Sequence, residues 1–514
     1  MGSRAASAVC DASNVTDVTS DSQARAADYS HASTHDEPRE EQGISESSWT
    51  ASIIIPNSSK DRIFLMRSSG GWVLPQITLP NDVGSSDVSR MQQEIEGCIG
   101  NKLNLSVLQY MKHAPNKAGY GCEPKYIAVE VHGLDFVSEC KGVFMTTKEI
   151  NALPQESVSV EEREAIEKFA ELTESGCLWQ IQPEWLRPGW LNVGREWMQE
   201  QAVSLGMHLE KDIQQVTCTS LSSVLQGERS DGEGMVFAKF CSQNSSEVAI
   251  SKLASDLLPS LVPGPMATDI ARNAMLMSSY GVPLNEKDDK AQLEAHSKVL
   301  KALGQLHVAS IEHLSAFEQV ACLEKKVESW PMDLRKALDD PIVNQAFRGI
   351  IGSRTSERSS GESPEIAKLI DVVEKKCAAL STYNIPSTLV HGDMCVNNVI
   401  CLDDKNDAYG FFDWGCAHIG YPLYDLAYYY TVVSDEIGLS DLGVYFNAFS
   451  EYEPADRMEE AFSLAYDIYV CRAIGTFYDH LEDAGPSFRP FVYTCLLTFL
   501  VALYSRNVGN ATIN

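Results

Sequence analysis

His391-Gly392-Asp393 closes a short apolar run, Leu389-Val390, and Asn398 follows Asp393 by five positions. Residues 399–402 (VICL) read as a strand, 403–407 (DDKND) as a turn, and 409–412 (YGFF) as the returning strand, which ends in Asp413. In such a hairpin Asn398 and Asp413 sit side by side, about 5 Å apart, close enough to share one ion. An amide oxygen and a carboxylate are hard ligands, suited to magnesium carrying a nucleotide's phosphates. Asp393, just ahead on the same rim, can accept or orient the proton of an attacking hydroxyl. Phosphoryl transfer needs positioning and neutralised charge more than covalent help, and these three side chains would supply both.

Such a site also needs a cation for the phosphates. Lys239 lies in Met235-Val236-Phe237-Ala238-Lys239-Phe240, an apolar strand where a bare charge would be costly. Alternation puts it on the face of Met235 and Phe237. Glu247, which opens the next helical stretch, is its natural partner. No GxGxxG loop precedes this strand. The turn at Leu221-Ser222-Ser223-Val224 takes that place, where hydroxyls and backbone N–H groups could cover phosphates.

The elements that must carry these residues fall into two patterns. Strand-like runs at 213–219, 222–226, 235–240, 266–270 and 274–278 enclose one helical stretch, 247–257. Beyond Asn285 the pattern is helical almost to the end, broken by the one hairpin. Ahead of both lies a mixed region with strands at 51–56, 62–67 and 126–131 and amphipathic helices at 88–99 and 161–172.

His391-Gly392-Asp393, Asn398 and the strand-borne Asp413 together resemble the signature of the aminoglycoside phosphotransferase and choline kinase family. The extended tail of that signature matches as well, in Asp413-Trp414, Gly420-Tyr421-Pro422 and Asp425-Leu426-Ala427. The resemblance implies that Asp393 is the catalytic aspartate and that Asn398 and Asp413 hold the metal. It makes Asp425 an anchor for the helix after the loop. Residues 277–284 (MSSYGVPL) resemble the connector between the lobes of that fold, where backbone groups bind the nucleotide base. Leu303-Gly304-Gln305-Leu306-His307 resembles the family's Leu-x-x-Leu-His element, with His307 as a packing or capping residue. Asp467, Arg472, Tyr478 and Asp479 fall in late helices that would line a substrate cleft. Between Asp393 and Asn398 the chain departs from the pattern: it has Met-Cys-Val-Asn where many relatives carry His and Gly.

The front region resembles a Nudix-type α/β sandwich, through its two strands and the stretch Gly70-Gly71-Trp72-Val73-Leu74-Pro75. A working Nudix box gathers glutamates on a helix. Here Glu94 fits one position, but Met91 and Ile95 stand at two others, and apolar side chains cannot bind a hard cation. The expectation is a Nudix-like domain without hydrolase chemistry.

Composition narrows the classes. Of 514 residues, 41 are basic and 71 acidic, a net charge of −30 that repels phosphate backbones and argues against nucleic-acid binding. The same charge would suit a cationic acceptor. The 14 cysteines form no CxxC pair, so free thiols in a reducing compartment are expected and zinc is not. The longest apolar stretch, 495–504, reads as a buried helix too short for a membrane span, and the N-terminus carries no signal-peptide core. A cytoplasmic protein is expected.

The fold expected is α+β: a two-lobed protein-kinase-like fold preceded by a smaller Nudix-like α/β sandwich domain. Residues 1–47, with nine acids against three arginines, form a disordered acidic tail. The front domain takes 48–176, the small lobe 177–284 and the helical large lobe 285–514. The expected activity moves the γ-phosphoryl group of ATP or GTP to a hydroxyl of a small molecule, with Mg2+. Asp393 would be catalytic, Lys239, Glu247, Ser222 and Ser223 would hold the nucleotide, and Asn398 and Asp413 the metal. The rival readings are a kinase-shaped nucleotide-binding or scaffold protein without turnover, and a Nudix hydrolase with a kinase-like appendage.

Overall fold

The computed structural model describes residues 48–80, 83–115, 122–132, 142–176, 182–352, 363–403, 408–481 and 484–509. The acidic tail over 1–47 lies outside them. The front region holds β1 (Ser48–Ile54), β2 (Arg62–Ser68), β3 (Gly71–Val73), β4 (Gln76–Pro80), α1 (Val88–Ile99), β5 (Leu105–Pro115), β6 (Cys122–Val131), β7 (Gly142–Thr146) and α2 (Val160–Ser175). One sheet runs β4-β1-β6-β5, with β1 antiparallel to β4 and parallel to β6, and a second runs β3-β2-β7. Strand alternation explains the layering. Ile53, Ile127 and Val129 join Met91 and Ile95 of α1 in one cluster. Ile54, Tyr126 and Ala128 join Ala165, Ile166 and Phe169 of α2 in another. The sheet is thus covered by a helix on each face. The Asp87 carboxylate caps α1 by accepting the Arg90 N–H at 2.9 Å, and Gly100 ends it in the left-handed conformation.

Next come α3 (Trp190–Ser204), β8 (Gln214–Cys218), β9 (Ser222–Glu228), β10 (Met235–Cys241), α4 (Glu247–Leu257), β11 (Ala267–Asp269) and β12 (Ala274–Ser278). The five strands form an antiparallel sheet ordered β11-β12-β10-β9-β8. Val236, Ala238 and Phe240 are buried on one face, where the Phe240 ring meets Trp190 and Trp197 of α3 at 5.0 and 5.2 Å. Lys239 belongs to the opposite face, with Met235 and Phe237, as alternation requires.

The front region and this sheet share one hydrophobic core: Trp49, Ile127, Trp185, Trp197, Phe240 and Leu276 belong to a single cluster. Polar contacts reinforce the join. Gln215 Oε1 accepts the Val107 N–H at 3.0 Å, and Tyr110 Oη donates to Cys218 O at 3.2 Å. The front sheet β4-β1-β6-β5 and the five-stranded sheet meet in that shared cluster, across the boundary expected near residue 176.

The remainder is helical around small sheets. Its parts are β13 (Val282–Pro283), α5 (Asp289–Ser310), β14 (Glu324–Lys325), α6 (Trp330–Asp339), β15 (Thr388–Val390), β16 (Val399–Asp403), β17 (Ala408–Phe411), β18 (His418–Gly420), α7 (Leu423–Val433), α8 (Val470–His480) and α9 (Gly485–Asn507), with further helices between. The strands form β13-β16-β17 and β14-β18-β15. Trp330, Phe347, Leu369, Tyr424, Ile474 and Leu500 centre a second core. The apolar stretch near the C-terminus is longer than expected: Phe488–Asn507 is long and apolar enough, by length and composition, to cross a membrane. Half of that stretch is buried inside the protein, with Leu496, Leu500 and Leu503 fully covered.

Trp197→Ala should cost about 3–5 kcal/mol, the usual loss for a buried aromatic. Because the core is shared, hydrogen exchange should show β6 and β10 amides losing protection together. Loss confined to β10 would mean that the two sheets unfold independently.

Candidate active site

The loop after β15 is built around a buried acid. Asp425, in the first turn of α7, has no solvent exposure; its Oδ2 accepts the His391 N–H at 2.6 Å and its Oδ1 the Gly392 N–H at 2.9 Å. His307 of α5, also fully buried, places Nε2 3.1 Å from Asp425 Oδ2 and Nδ1 2.7 Å from Tyr445 Oη. Burial alone would raise the Asp425 carboxyl, but the bond to His307, the charges of His307 and His391 and the Gly392 N–H outweigh it and hold the group below its ordinary value. Gly392 has φ +85°, and a Cβ there would stand 2.1 Å from Cys416 O, so no other residue fits. The His391 ring donates from Nε2 to Phe412 O at 2.8 Å and packs on Trp414.

Asp393 leaves this loop half-buried. Asn398 Nδ2 donates to its backbone oxygen at 2.7 Å and to Oδ2 at 3.1 Å. The Phe412 N–H donates to Asn398 O at 3.2 Å and continues the β16–β17 pairing, so Asp413 emerges beside Asn398 as the hairpin predicts. Asp413 has φ +69°, an uncommon value that costs energy unless the surroundings enforce it, and one that clusters at functional sites. Burial, then the Asp413 charge, pushes the Asp393 carboxyl up to about 6, against the lowering effects of His391, Tyr428 and Asn398.

Across the cleft, Lys239 Nζ lies 2.5 Å from Glu247 Oε1 and 2.7 Å from Asp413 Oδ1. Burial would lower the ammonium, but the two carboxylates prevail and hold it well above its ordinary value. Burial raises Glu247, with Lys239 opposing and Asp413 adding to the rise. Cys241 Sγ donates to the second Glu247 oxygen at 3.3 Å.

A cavity of about 390 Å³ is lined by Lys239, Glu247, Asp393, Asp413, Ser222 and Arg472 among others. A second, about 190 Å³, shares Lys239, Glu247 and Asp413 and extends between Met235, Phe237, Met277 and Tyr280. Most of the expected residues converge here, with two exceptions. Asn398 is buried and lines neither cavity, its amide being held on Asp393. Ser222 lines the larger cavity, but Ser223 does not: it is fully buried, its hydroxyl donating to Thr217 O at 3.2 Å and accepting from Gln215 Nε2 at 2.9 Å. Both residues begin β9 rather than a turn, so they point to opposite faces. The turn itself is Thr219–Leu221, and Thr219 Oγ1 accepts the N–H groups of Leu221 and Ser222, leaving neither for a phosphate.

Of the late-helix residues, Arg472 and Asp479 reach the larger cavity. Asp467 pairs with Lys376, and Tyr478 lies under the Lys336 ammonium at 5.1 Å. Sequence reasoning missed Lys325 in the cavity wall and the support that His307 and Asp425 give the loop backbone. In the front region Met91 and Ile95 are fully buried and Glu94 pairs with Arg90 at 3.9 Å. Among the described residues no group of three or more His, Cys, Asp or Glu side chains could hold a metal by itself.

Residues 243–460 match the model of the phosphotransferase enzyme family, and the chain carries a domain of that family in its C-terminal region. That family is described as one of phosphotransferase enzymes, and the match covers the stretch that holds Glu247, Asp393, Asn398 and Asp413. A curated relative, a probable acyl-CoA dehydrogenase of Arabidopsis thaliana, is 27% identical over 128 residues. The match covers 25% of this chain and only 14% of that protein. Similar solved structures include a macrolide 2'-phosphotransferase type I, at TM-score 0.41 and 16% identity, covering 59% of this chain and 96% of that one. A choline/ethanolamine kinase family protein from Mesorhizobium loti gives TM-score 0.40 and 12% identity over 62% of this chain and 97% of its own. A choline kinase from Streptococcus pneumoniae gives 0.38 and 13% over 60% and 98%.

Asp425→Asn should cost about 3–5 kcal/mol in urea unfolding, since its amide would turn a donor toward N–H groups that need an acceptor. For Asp393 the sign is opposite. Its folded value lies above the unfolded one, so its stabilising contribution is full below about 3.9 and is lost as pH rises through about 6. Thermal midpoints taken from pH 4 to 7 should therefore contain a falling component that Asp393→Asn lacks. Identical pH profiles would show that Asp393 is solvated like a free carboxylate.

Proposed function

We propose that this chain transfers the γ-phosphoryl group of ATP or GTP to a hydroxyl of a small molecule, with magnesium as the required ion. The observation that carries the reading is the convergence of Asp393 and Asp413 with the Lys239–Glu247 pair on one cavity, with Asn398 behind them holding Asp393. Asp413 and Asn398 offer one carboxylate and one amide oxygen, a donor set that fits magnesium, which takes few protein ligands and completes its shell with water and phosphate oxygens. When bound there, the ion would neutralise charge on the bridging phosphates.

The chain's own residues would do the rest. Lys239 is fixed by Glu247 and could trade its contact with Asp413 for a phosphate oxygen. Asp393 would take the acceptor's proton as the new P–O bond forms and the bond to the β-phosphate oxygen breaks, releasing the nucleoside diphosphate. The smaller cavity, walled by Met235, Phe237 and Met277 beside the backbone of 278–281, suits a flat base. Expected assignments of two lobes and of a Nudix-like front unit without hydrolase chemistry fit the same picture. Met91 and Ile95 are fully buried apolar side chains, so neither position offers a metal ligand. The free thiols of Cys218, Cys241, Cys377 and Cys471 are in keeping with a reducing, cytoplasmic setting.

Thermal shift with magnesium and either nucleotide tests the site directly. At 100 times Kd a ligand stabilises by about 2.7 kcal/mol, and Asp413→Ala should abolish the metal-dependent part. Asp393→Asn should keep the nucleotide shift yet lower phosphoryl transfer by about 10²–10⁴-fold. A shift without turnover on any hydroxylated acceptor would favour a nucleotide-binding scaffold; no shift at all would end the kinase reading.

A further inference from the structure

We infer, on the phosphotransferase reading above, that the acceptor is a hydroxylated anion, a hydroxy acid in the simplest case, and that Arg472 binds its carboxylate. The wall of the larger cavity beside Asp393 is formed by Lys325, Arg472, Thr476 and Asp479. Arg472 is 4% exposed, so its guanidinium is held out of bulk water. Nη1 donates to Asp333 Oδ2 at 3.1 Å, but the buried Nε has no hydrogen-bond partner. A buried charged donor left in this state is costly, and a carboxylate is the partner that satisfies a guanidinium edge with two parallel bonds.

The site is shaped to hold the arginine there. Gly475 lies one turn along α8, and a Cβ at that position would stand 2.7 Å from Arg472 Nη1 and from the Asp333 carboxylate. Any larger residue would push the pair apart.

Charge in this wall points the same way. Lys325 Nζ and Lys336 Nζ both pair with Asp479, at 3.1 and 3.0 Å, and Arg472 pairs with Asp333. Three cations therefore meet two carboxylates. His418, which lines the same cavity, adds no charge: burial and the Arg472 cation push its imidazole down to about 3. This end of the cavity thus carries one more positive charge than negative and faces the Glu247, Asp393 and Asp413 carboxylates at the other end. Distant surface charge is screened beyond about 8 Å at physiological salt, so the groups around Arg472 set which end of an acceptor binds there. A cationic acceptor would meet repulsion at Arg472, whereas a hydroxy acid would pair with it and leave its hydroxyl toward Asp393.

The test compares straight-chain hydroxycarboxylic acids of four to eight carbons with amino alcohols of the same length, following nucleoside diphosphate release. Wild type is expected to favour the acids by at least tenfold in kcat/KM. Arg472→Lys keeps the charge and the pairing with Asp333 but loses the fork. It should raise KM for the acids about tenfold with kcat changed little, and leave the nucleotide thermal shift as in wild type. The double variant Arg472→Gln/Asp333→Asn removes the buried pair together and should erase the preference for acids. Preference for amino alcohols, or no turnover of either series while the nucleotide shift persists, overturns the inference and leaves the nucleotide site standing. Absence of the nucleotide shift itself defeats the underlying reading and this inference with it.

Discussion

Asp425 accepts two successive backbone N–H groups, from His391 and Gly392, at a place where no water can do so. Two adjacent N–H groups can point at one carboxylate only if the backbone turns sharply between them, and the left-handed Gly392 makes that turn. Asp393 is the next residue, so its direction of exit is set by the same geometry. His307 and, through it, Tyr445 keep the carboxylate ionised and oriented from a helix that begins at Asp289. Placement of Asp393 therefore depends on contacts more than 30 residues distant in both directions.

A second group of charges faces it. Lys239, Glu247 and Asp413 form a compact set with one more negative charge than positive, and Asp393 adds another nearby. Burial, with the charge of Asp413 adding to it, raises both the Asp393 and the Glu247 carboxyls.

The local parts of this site were legible because short-range rules decide them. Spacing placed Asn398 and Asp413 across a hairpin, and the observed pairing of Val399 with Phe411 brings them together. Alternation assigned Lys239 to the face of Met235 and Phe237. The misplacement of Ser223 arose from the same rule: a strand that begins at Ser222, where a turn was expected, sends the neighbouring serine to the other side. Arg472 and Asp479 were recognisable only as polar residues on late helices. What distinguishes them from Asp467 is which helix face meets the cleft, and tertiary packing alone settles that. Asp425 was read as an anchor for its helix, but its partners, His391, Gly392 and His307, lie far away in sequence. The two-residue strands β13 and β14 carry no periodic signal at all.

Tyr110 of β5 touches both walls of the cleft. Its hydroxyl donates to Cys218 O in the sheet that bears Lys239, and its ring meets Phe488 of α9, edge to face, at 5.1 Å. The helical body that bears Asp393 and the sheet that bears Lys239 are therefore braced by a third member. Any opening or closing of the cleft must slide one of these two contacts or bend the strand between them. The front region then acts mechanically, as a strut whose stiffness sets how far the sheet that bears Lys239 and the helical body that bears Asp393 can travel apart.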